Sequence, residues 1–135
     1  MSTTTTGTAS PEEMLREFHA ALNVHGGLAP ATPTADIPGW VRDLRLKLLD
    51  EEVAELHEAM EAGDLEKIAD GIADIVYVAV GTAVPYGIPF DAVLRAVHES
   101  NMTKVNDASL GKLVKGPGYQ PPRIAEILAD ARDAS

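Results

Sequence analysis

The fold of this chain depends on how residues 65–84, LEKIADGIADIVYVAVGTAV, are interpreted. The run IVYVAV within this segment would by itself favour a buried strand, because β-branched residues are enriched in strands. The residues before it, DLEKIADGIAD, instead resemble the start of a helix and contain no turn signal. Small residues also recur in the run at spacings that let helices approach closely. We therefore predict a buried helix, apolar on nearly all sides, from Leu65 to about Val84.

The preceding segment predicts a second long helix. Apolar side chains recur there at spacings of three and four, at Leu46, Leu49, Val53, Leu56 and Met60. This is the period of an amphipathic helix. We predict that it runs from near Pro38 to about Ala62, that Gly63 closes it, and that Asp64 caps the next helix.

Three shorter helices complete the prediction. Ser10 can cap a first helix that begins at Pro11, and two further helices are expected near residues 89–103 and 123–131. The Gly and Pro content of residues 24–39 and 106–122 predicts loops.

The sequence thus predicts an all-α fold with four to five helices. Residues 1–9 are rich in Thr and Ser and are expected to form a disordered tail. Residues 10–135 have a length that suits one domain.

Composition excludes several kinds of function. The net charge of −10 opposes binding to nucleic acid or to anionic membranes. The absence of cysteine excludes disulfides, thiolate catalysis and Cys-ligated zinc. The longest apolar run, residues 75–84, has about ten residues, whereas a membrane span needs about 20. The N-terminal residues lack the features of a secretory signal. We expect a soluble, cytoplasmic protein without nucleic-acid or membrane partners.

Carboxylates on the two long helices form the candidate site. On a helical wheel Glu52 and Glu55 are about 60° apart, Glu51 and Glu55 about 40°, and Asp70 and Asp74 about 40°. Each acid could simply belong to a solvated helix face, although Asp is unfavourable within a helix. If the helices are antiparallel across a tight turn, the acids converge. A hard divalent cation, Mg²⁺ or Mn²⁺, is best suited to neutralise such a cluster.

Four segments resemble the MazG-like, all-α nucleoside triphosphate pyrophosphatase superfamily: EEVAELHEA, IADGIADIVYVAVGTAVPYGI, VHESNMTK and KGPGYQPP. Within it, the chain is most similar to the phosphoribosyl-ATP pyrophosphohydrolase-like branch, which includes dimeric dUTPase-like enzymes. The resemblance implies a bundle completed by dimerisation, as a homodimer or a dimer of dimers. It also implies Mg²⁺-dependent cleavage between the α and β phosphates of a nucleoside triphosphate, giving a nucleoside monophosphate and pyrophosphate.

The resemblance assigns roles to the acidic residues of the first motif. The E-E-x-x-E pattern falls on Glu51, Glu52 and Glu55. Glu52 and Glu55 are the implied metal ligands, with Mg²⁺ as the cofactor and Mn²⁺ as a substitute. Glu51 is the implied catalytic residue that orients or deprotonates the attacking water.

The second motif, usually E-x-x-D, departs from the family pattern. Its Asp falls on Asp74, an implied metal ligand, but Gly71 stands where the family has Glu. Asp70, one residue earlier, is the candidate for the missing ligand, although its wheel direction differs by about 100°.

The last two motifs supply the implied substrate contacts. Asn101 would contact the metal shell or the nucleoside, and Lys104 would bring a catalytic positive charge to the phosphates. Lys115 and Tyr119 would close over the nucleotide. The alternatives are that Asn101 only ends its helix and that Lys115 is a solvated loop residue.

Other side chains remain open to two interpretations. Phe18, His19 and Trp40 could form a base pocket or could be core and surface residues. Arg42 and Arg45 could contact phosphates or form surface salt bridges.

Two other functions compete with hydrolysis of a nucleoside triphosphate. The chain could be a catalytically silent relative, used for helical dimerisation or nucleotide sensing, and Gly71 keeps this hypothesis open. It could also hydrolyse phosphoribosyl-ATP in histidine biosynthesis.

Overall fold

The computed structural model of the chain describes residues 8–134 and is mostly helical. Within that range the α-helices are α1 (Pro11–Ala21), α2 (Gly39–Ala62), α3 (Leu65–Ala83), α4 (Phe90–Asn101) and α5 (Ile124–Asp133). A short 3₁₀ turn occupies Val24–Gly27. The predicted all-α fold class is confirmed. None of the described helices combines the length and the apolar character needed to cross a bilayer.

One of the predicted loops is partly wrong. Within residues 106–122 the chain forms an antiparallel hairpin of two short strands, β1 (Val105–Asp107) and β2 (Lys112–Val114). The turn between them is closed by Asp107, whose Oδ1 accepts hydrogen bonds from the backbone N–H and the hydroxyl of Ser109. Gly111 then adopts a φ of 64°, a conformation that glycine takes without strain.

The helix ends form where the local capping residues predict them. The Ser10 hydroxyl accepts from the Glu13 N–H at 3.1 Å, and the Glu13 carboxylate accepts from the Ser10 N–H at 2.8 Å. Gly63 ends α2 with a φ of 66°. The Asp64 side chain then accepts from the Lys67 N–H at 3.2 Å and begins α3. The link between α2 and α3 is therefore only two residues long, which makes the two helices antiparallel neighbours.

The chain divides into two compact units, with the boundary after Ile88. The first unit contains α1, α2 and α3, and the second contains α4, the hairpin and α5. The expectation of one domain over residues 10–135 stays a prediction. Residues 1–7 of the predicted tail lie outside the described residues.

The core of the first unit lies where α3 meets α2 and α1. Its buried apolar side chains are Leu15, Val41, Ala59, Val80, Ala83 and Val84. At Gly71 the helices approach so closely that an added Cβ would lie 3.3 Å from Leu56 Cδ1. The prediction that α3 is buried on nearly all sides is wrong for the single chain, because Ile72 and Val76 are 51% and 50% exposed. One face of α3 therefore has no cover in the described chain.

Candidate functional site

Three carboxylates converge between α2 and α3. Glu52, Glu55 and Asp74 each offer one oxygen, and these oxygens all lie within 4.8 Å of one another. The short link explains why: Glu52 and Asp74 are each eleven residues from Gly63, so an antiparallel pair brings them to the same height. Of the candidate site residues predicted from the sequence, these three form a compact cluster.

Glu52 is the electrostatic centre of this acidic cluster. Its Oε2 atom is buried and has no hydrogen-bond partner among the described residues. Burial raises the pKa of Glu52, and so do the negative charges of Glu55, Asp74 and Asp70. Buried polar atoms are normally paired, so an orphaned carboxylate oxygen surrounded by other acids calls for a counter-charge. A donor set made only of carboxylate oxygens can hold a divalent metal ion.

Asp70 lies beside the acidic cluster but does not belong to the group of three converging oxygens. It borders a cavity of ≈ 420 Å³ between α2 and α3, which Glu55 and Asp74 also line. Its charge acts on Glu52 from there. Glu51 is exposed on α2 and is in neither set. The roles of Asp70 as a fourth ligand and of Glu51 as the base stay predictions.

The sequence interpretation missed a cation in the same cavity. Lys67 lines it together with Asp70 and Asp74. The spacing of these residues contained the signal, since positions 67, 70 and 74 repeat at three and four residues and so share one face of α3. Lys67 brings a positive charge to an otherwise acidic surface.

The residues predicted to contact the substrate belong to the second unit: Asn101, Lys104, Lys115 and Tyr119. Asn101 is the last residue of α4 and is exposed, and its carbonyl accepts from the Lys104 N–H at 3.1 Å. The Lys115 ammonium lies 5.1 Å from the centre of the Tyr119 ring, within the range of a cation–π contact. Lys115 and Tyr119 are therefore neighbours, as their predicted joint role requires.

The two arginines differ in environment. Arg42 forms an exposed ion pair with the next residue. Arg45 is only 5% exposed. Its guanidinium donates to Thr82 Oγ1 at 3.1 Å and to the Val78 carbonyl at 2.8 Å, and it lies 3.3 Å from His25 Nε2. Neither interpretation offered for Arg45 holds, because its donors are used inside the unit to tie α2 to α3.

The three side chains considered for a base pocket lie along a series of edge-to-face ring contacts. Phe18 contacts Tyr77 at 5.2 Å and His19 at 6.1 Å between ring centres. His19 continues to His25 at 5.9 Å, and His25 to Trp40 at 5.7 Å. His19 itself is a core residue beside Arg45, so its assignment to base binding stays a prediction.

Comparison with known proteins relates this chain to a family and to a viral protein. Residues 15–101 match the family described as phosphoribosyl-ATP pyrophosphohydrolase, a range that includes the acidic cluster and ends at Asn101. Lys104, Lys115 and Tyr119 lie beyond it. The chain is also 44% identical over 80 residues to an uncharacterised protein of Acanthamoeba polyphaga mimivirus. That alignment covers 57% of this chain and 32% of the viral protein, so this chain matches about a third of that relative's length.

Proposed function

Because the chain belongs to the phosphoribosyl-ATP pyrophosphohydrolase family, we propose that it hydrolyses a nucleoside triphosphate between the α and β phosphates. The products are a nucleoside monophosphate and pyrophosphate. The observation that carries the proposal is the convergence of Glu52, Glu55 and Asp74 around an orphaned carboxylate oxygen. Such a cluster has no role in packing two helices, and it suits a metal that binds phosphate oxygens.

Glu52, Glu55 and Asp74 would hold Mg²⁺, for which Mn²⁺ can substitute, and Asp70 lies close enough to the cavity to assist. When bound, the metal neutralises the polyphosphate and helps to position water. Glu51, adjacent to the cluster on α2, orients the attacking water and accepts its proton as the bridging P–O bond breaks. A carboxylate at this place suits general-base chemistry.

Positive groups of the second unit supply the contacts with the substrate. Lys104 and Lys115 carry charge for the phosphates, and Asn101 and Tyr119 offer polar contacts to the nucleotide. Lysine binds phosphate as a compact point charge, so it needs no fixed plane of approach. The net charge of −10 favours small phosphate substrates held by a few cations over polynucleotides.

A second copy of the chain is the proposed partner, as a homodimer or a dimer of dimers. Leu46, Val53 and Met60 are exposed on α2 and recur every seven residues, and Ile72 and Val76 are exposed on α3. Repeats of seven are typical of helices that pack against a partner helix. An apolar stripe of this extent on a chain with so much acidic surface is best explained by self-association.

Phosphoribosyl-ATP is the second candidate substrate, because the matched family is the one named for its hydrolysis. It contains the same α–β phosphate linkage as a nucleoside triphosphate. The acidic cluster would act on either molecule in the same way, so the two candidates differ only in how the nucleoside part is bound.

Pyrophosphate release from a panel of nucleoside triphosphates and phosphoribosyl-ATP tests the proposal. Each substrate is assayed with Mg²⁺, with Mn²⁺ and with EDTA. We expect metal-dependent release from one or a few substrates, and that pattern selects between the two candidates. A folded, dimeric protein that releases no pyrophosphate from any substrate would instead support the catalytically silent alternative, in which Gly71 has replaced a necessary ligand.

Substitution of Glu52 tests whether the acidic cluster is the site. Glu52→Gln should lower kcat/KM by about 100-fold or more, since the loss of a ligand removes several kcal/mol of transition-state stabilisation. Glu61→Gln is the matched control, because Glu61 is exposed near the end of the same helix and lines no part of the cavity. Equal activity of the two variants would show that catalysis occurs elsewhere.

A further inference from the structure

Two hydroxyl groups near the end of α4 hold a distant part of the chain. Ser100, 5% exposed, donates from Oγ to the Gln120 carbonyl at 2.6 Å. Thr103 Oγ1 accepts from the Gln120 N–H at 2.8 Å and donates to the Ser100 carbonyl at 2.6 Å. The Tyr119 hydroxyl lies 3.3 Å from Ser100 Oγ. We call Ser100, Thr103, Tyr119 and Gln120 the latch.

The hairpin fixes the same segment at a second place. Val105 pairs with Val114. The turn that follows β2 packs tightly on β1, because a Cβ added to Gly116 would lie 3.0 Å from Val105 Cγ2. Lys115 is thus held between the hairpin on one side and the latch on the other. A loop rich in Gly and Pro is constrained here along most of its length.

Two lysines flank the same end of this hairpin, since Lys104 precedes Val105 and Lys115 follows Val114. If the register continued by one residue, they would stand opposite each other. Like charges directly opposite across an antiparallel pair are destabilising. The ion pairs found among the described residues include neither lysine. Two cations that flank the same end of the hairpin, neither of them in these ion pairs, suit an external anion.

We propose that Ser100 and Thr103 are positioning residues. They hold Lys104, Lys115 and Tyr119 in place before the polyphosphate of the substrate binds to these three side chains. This inference rests on the proposed function. Neither hydroxyl touches the substrate, because both act through Gln120 and Tyr119. Ordering of a loop is unfavourable in entropy, so a segment ordered before binding gives higher affinity than one ordered on binding. Loss of the latch therefore weakens binding rather than the chemical step.

Substitution of Thr103 tests the latch, with rescue by a conservative variant. Thr103→Val keeps the shape and removes the hydroxyl, and Thr103→Ser keeps the hydroxyl. We expect Thr103→Val to raise KM about tenfold, the effect of losing both hydrogen bonds that this hydroxyl makes, with kcat changed less than about twofold. Thr103→Ser should restore KM. Thr34→Val is the matched control, because the Thr34 hydroxyl also accepts a backbone N–H but lies in the first unit.

Binding of inorganic tripolyphosphate in the presence of Mg²⁺, measured by calorimetry, separates this inference from the proposed function. We expect Thr103→Val to weaken binding about tenfold, and Thr103→Ser and Thr34→Val to bind as the wild type does. This result supports the latch even if the wild type hydrolyses no nucleotide, an outcome that would refute only the proposed function. Equal affinity in all four proteins, or a fall in kcat with KM unchanged, would overturn the inference.

Hydrogen exchange over residues 104–118 gives a readout that needs no ligand. The latch predicts faster exchange of this segment in Thr103→Val than in Thr103→Ser, while α1 to α3 exchange as in the wild type. If exchange of the segment is the same in both variants, the hydroxyl does not order it and the positioning role is wrong.

Discussion

Mild acid should destabilise this protein through one histidine. His19 is 3% exposed, and its Nδ1 atom is buried without a hydrogen-bond partner among the described residues. Burial, and then the positive charges of Arg45 and His25, lower the pKa of His19 from 6.5 to about 4. A proton on this ring would place a second cation next to the buried guanidinium.

The sign and size of the effect follow from linkage. The unfolded chain binds a proton at this histidine below a pH of about 6.5, whereas the folded chain binds it only below about 4, so stability falls as the pH falls between these values. The full loss is about 3.5 kcal/mol, because the pKa falls from 6.5 to about 4 and each unit is worth about 1.4 kcal/mol. Between pH 7.5 and 5.5 the same relation gives a loss of about 1.3 kcal/mol. Below pH 4 this histidine causes no further loss.

Urea unfolding at pH 7.5, 6.5 and 5.5 measures this loss as a change in the unfolding midpoint at constant slope. The comparison uses His19→Gln, which cannot titrate, and His57→Gln, which removes an exposed histidine from α2. Burial and Arg45 also lower the pKa of His25, so a loss of the same sign remains in every protein. We expect the wild type and His57→Gln to lose about 1.3 kcal/mol more than His19→Gln does between pH 7.5 and 5.5.

Two results would refute this reasoning. One is a loss of stability in His19→Gln as large as that of the wild type. The other applies if His19→Gln does not fold: an NMR titration of the native protein then gives the pKa of the His19 ring directly, and a value above about 6 contradicts its burial beside a cation.

Three further predictions concern the acidic cluster, the core and the proposed dimer. Without metal, Glu52→Gln should melt at a higher temperature than the wild type, because the substitution relieves the repulsion among the carboxylates of the acidic cluster. Added Mg²⁺ should raise the melting temperature of the wild type and of Glu61→Gln but not that of Glu52→Gln. Gly81→Ala should lower the free energy of unfolding by about 1–3 kcal/mol, because the added Cβ would meet three core atoms at 2.9–3.2 Å. Gly118→Ala is the control and should change the free energy of unfolding little, because its added Cβ meets nothing within 4 Å. Val53→Glu should halve the mass seen by sedimentation, and a mass that stays dimeric would exclude the stripe on α2 as the interface.

The helix ends could be predicted from the sequence because the groups that form them are close along the chain. The Ser10 capping box spans three residues, and Gly63 and Asp64 are adjacent. The acidic cluster was predictable for a related reason. The length of the link fixes the relative height of two antiparallel helices. That length alone was enough to predict that Glu52 and Asp74 lie next to each other.

The features that the sequence did not predict depend on distant contacts. The partner hydroxyl of Arg45 is 37 residues away, and no local pattern separates a buried arginine from a surface one. The exposure of Ile72 and Val76 depends on what covers them, which one chain does not contain. Asp70 is a different case, because the helical period already placed it about 100° from the position of Gly71, and its oxygens do not join the three that converge.

The acidic cluster also bears on how the chain folds. Its three carboxylates lie within residues 52–74, on two helices joined by a two-residue link. Contacts so close in sequence have a low contact order, and such contacts form early and fast. We therefore expect the α2–α3 hairpin and the acidic cluster to form together during folding. A metal ion that binds the cluster would then also stabilise this hairpin.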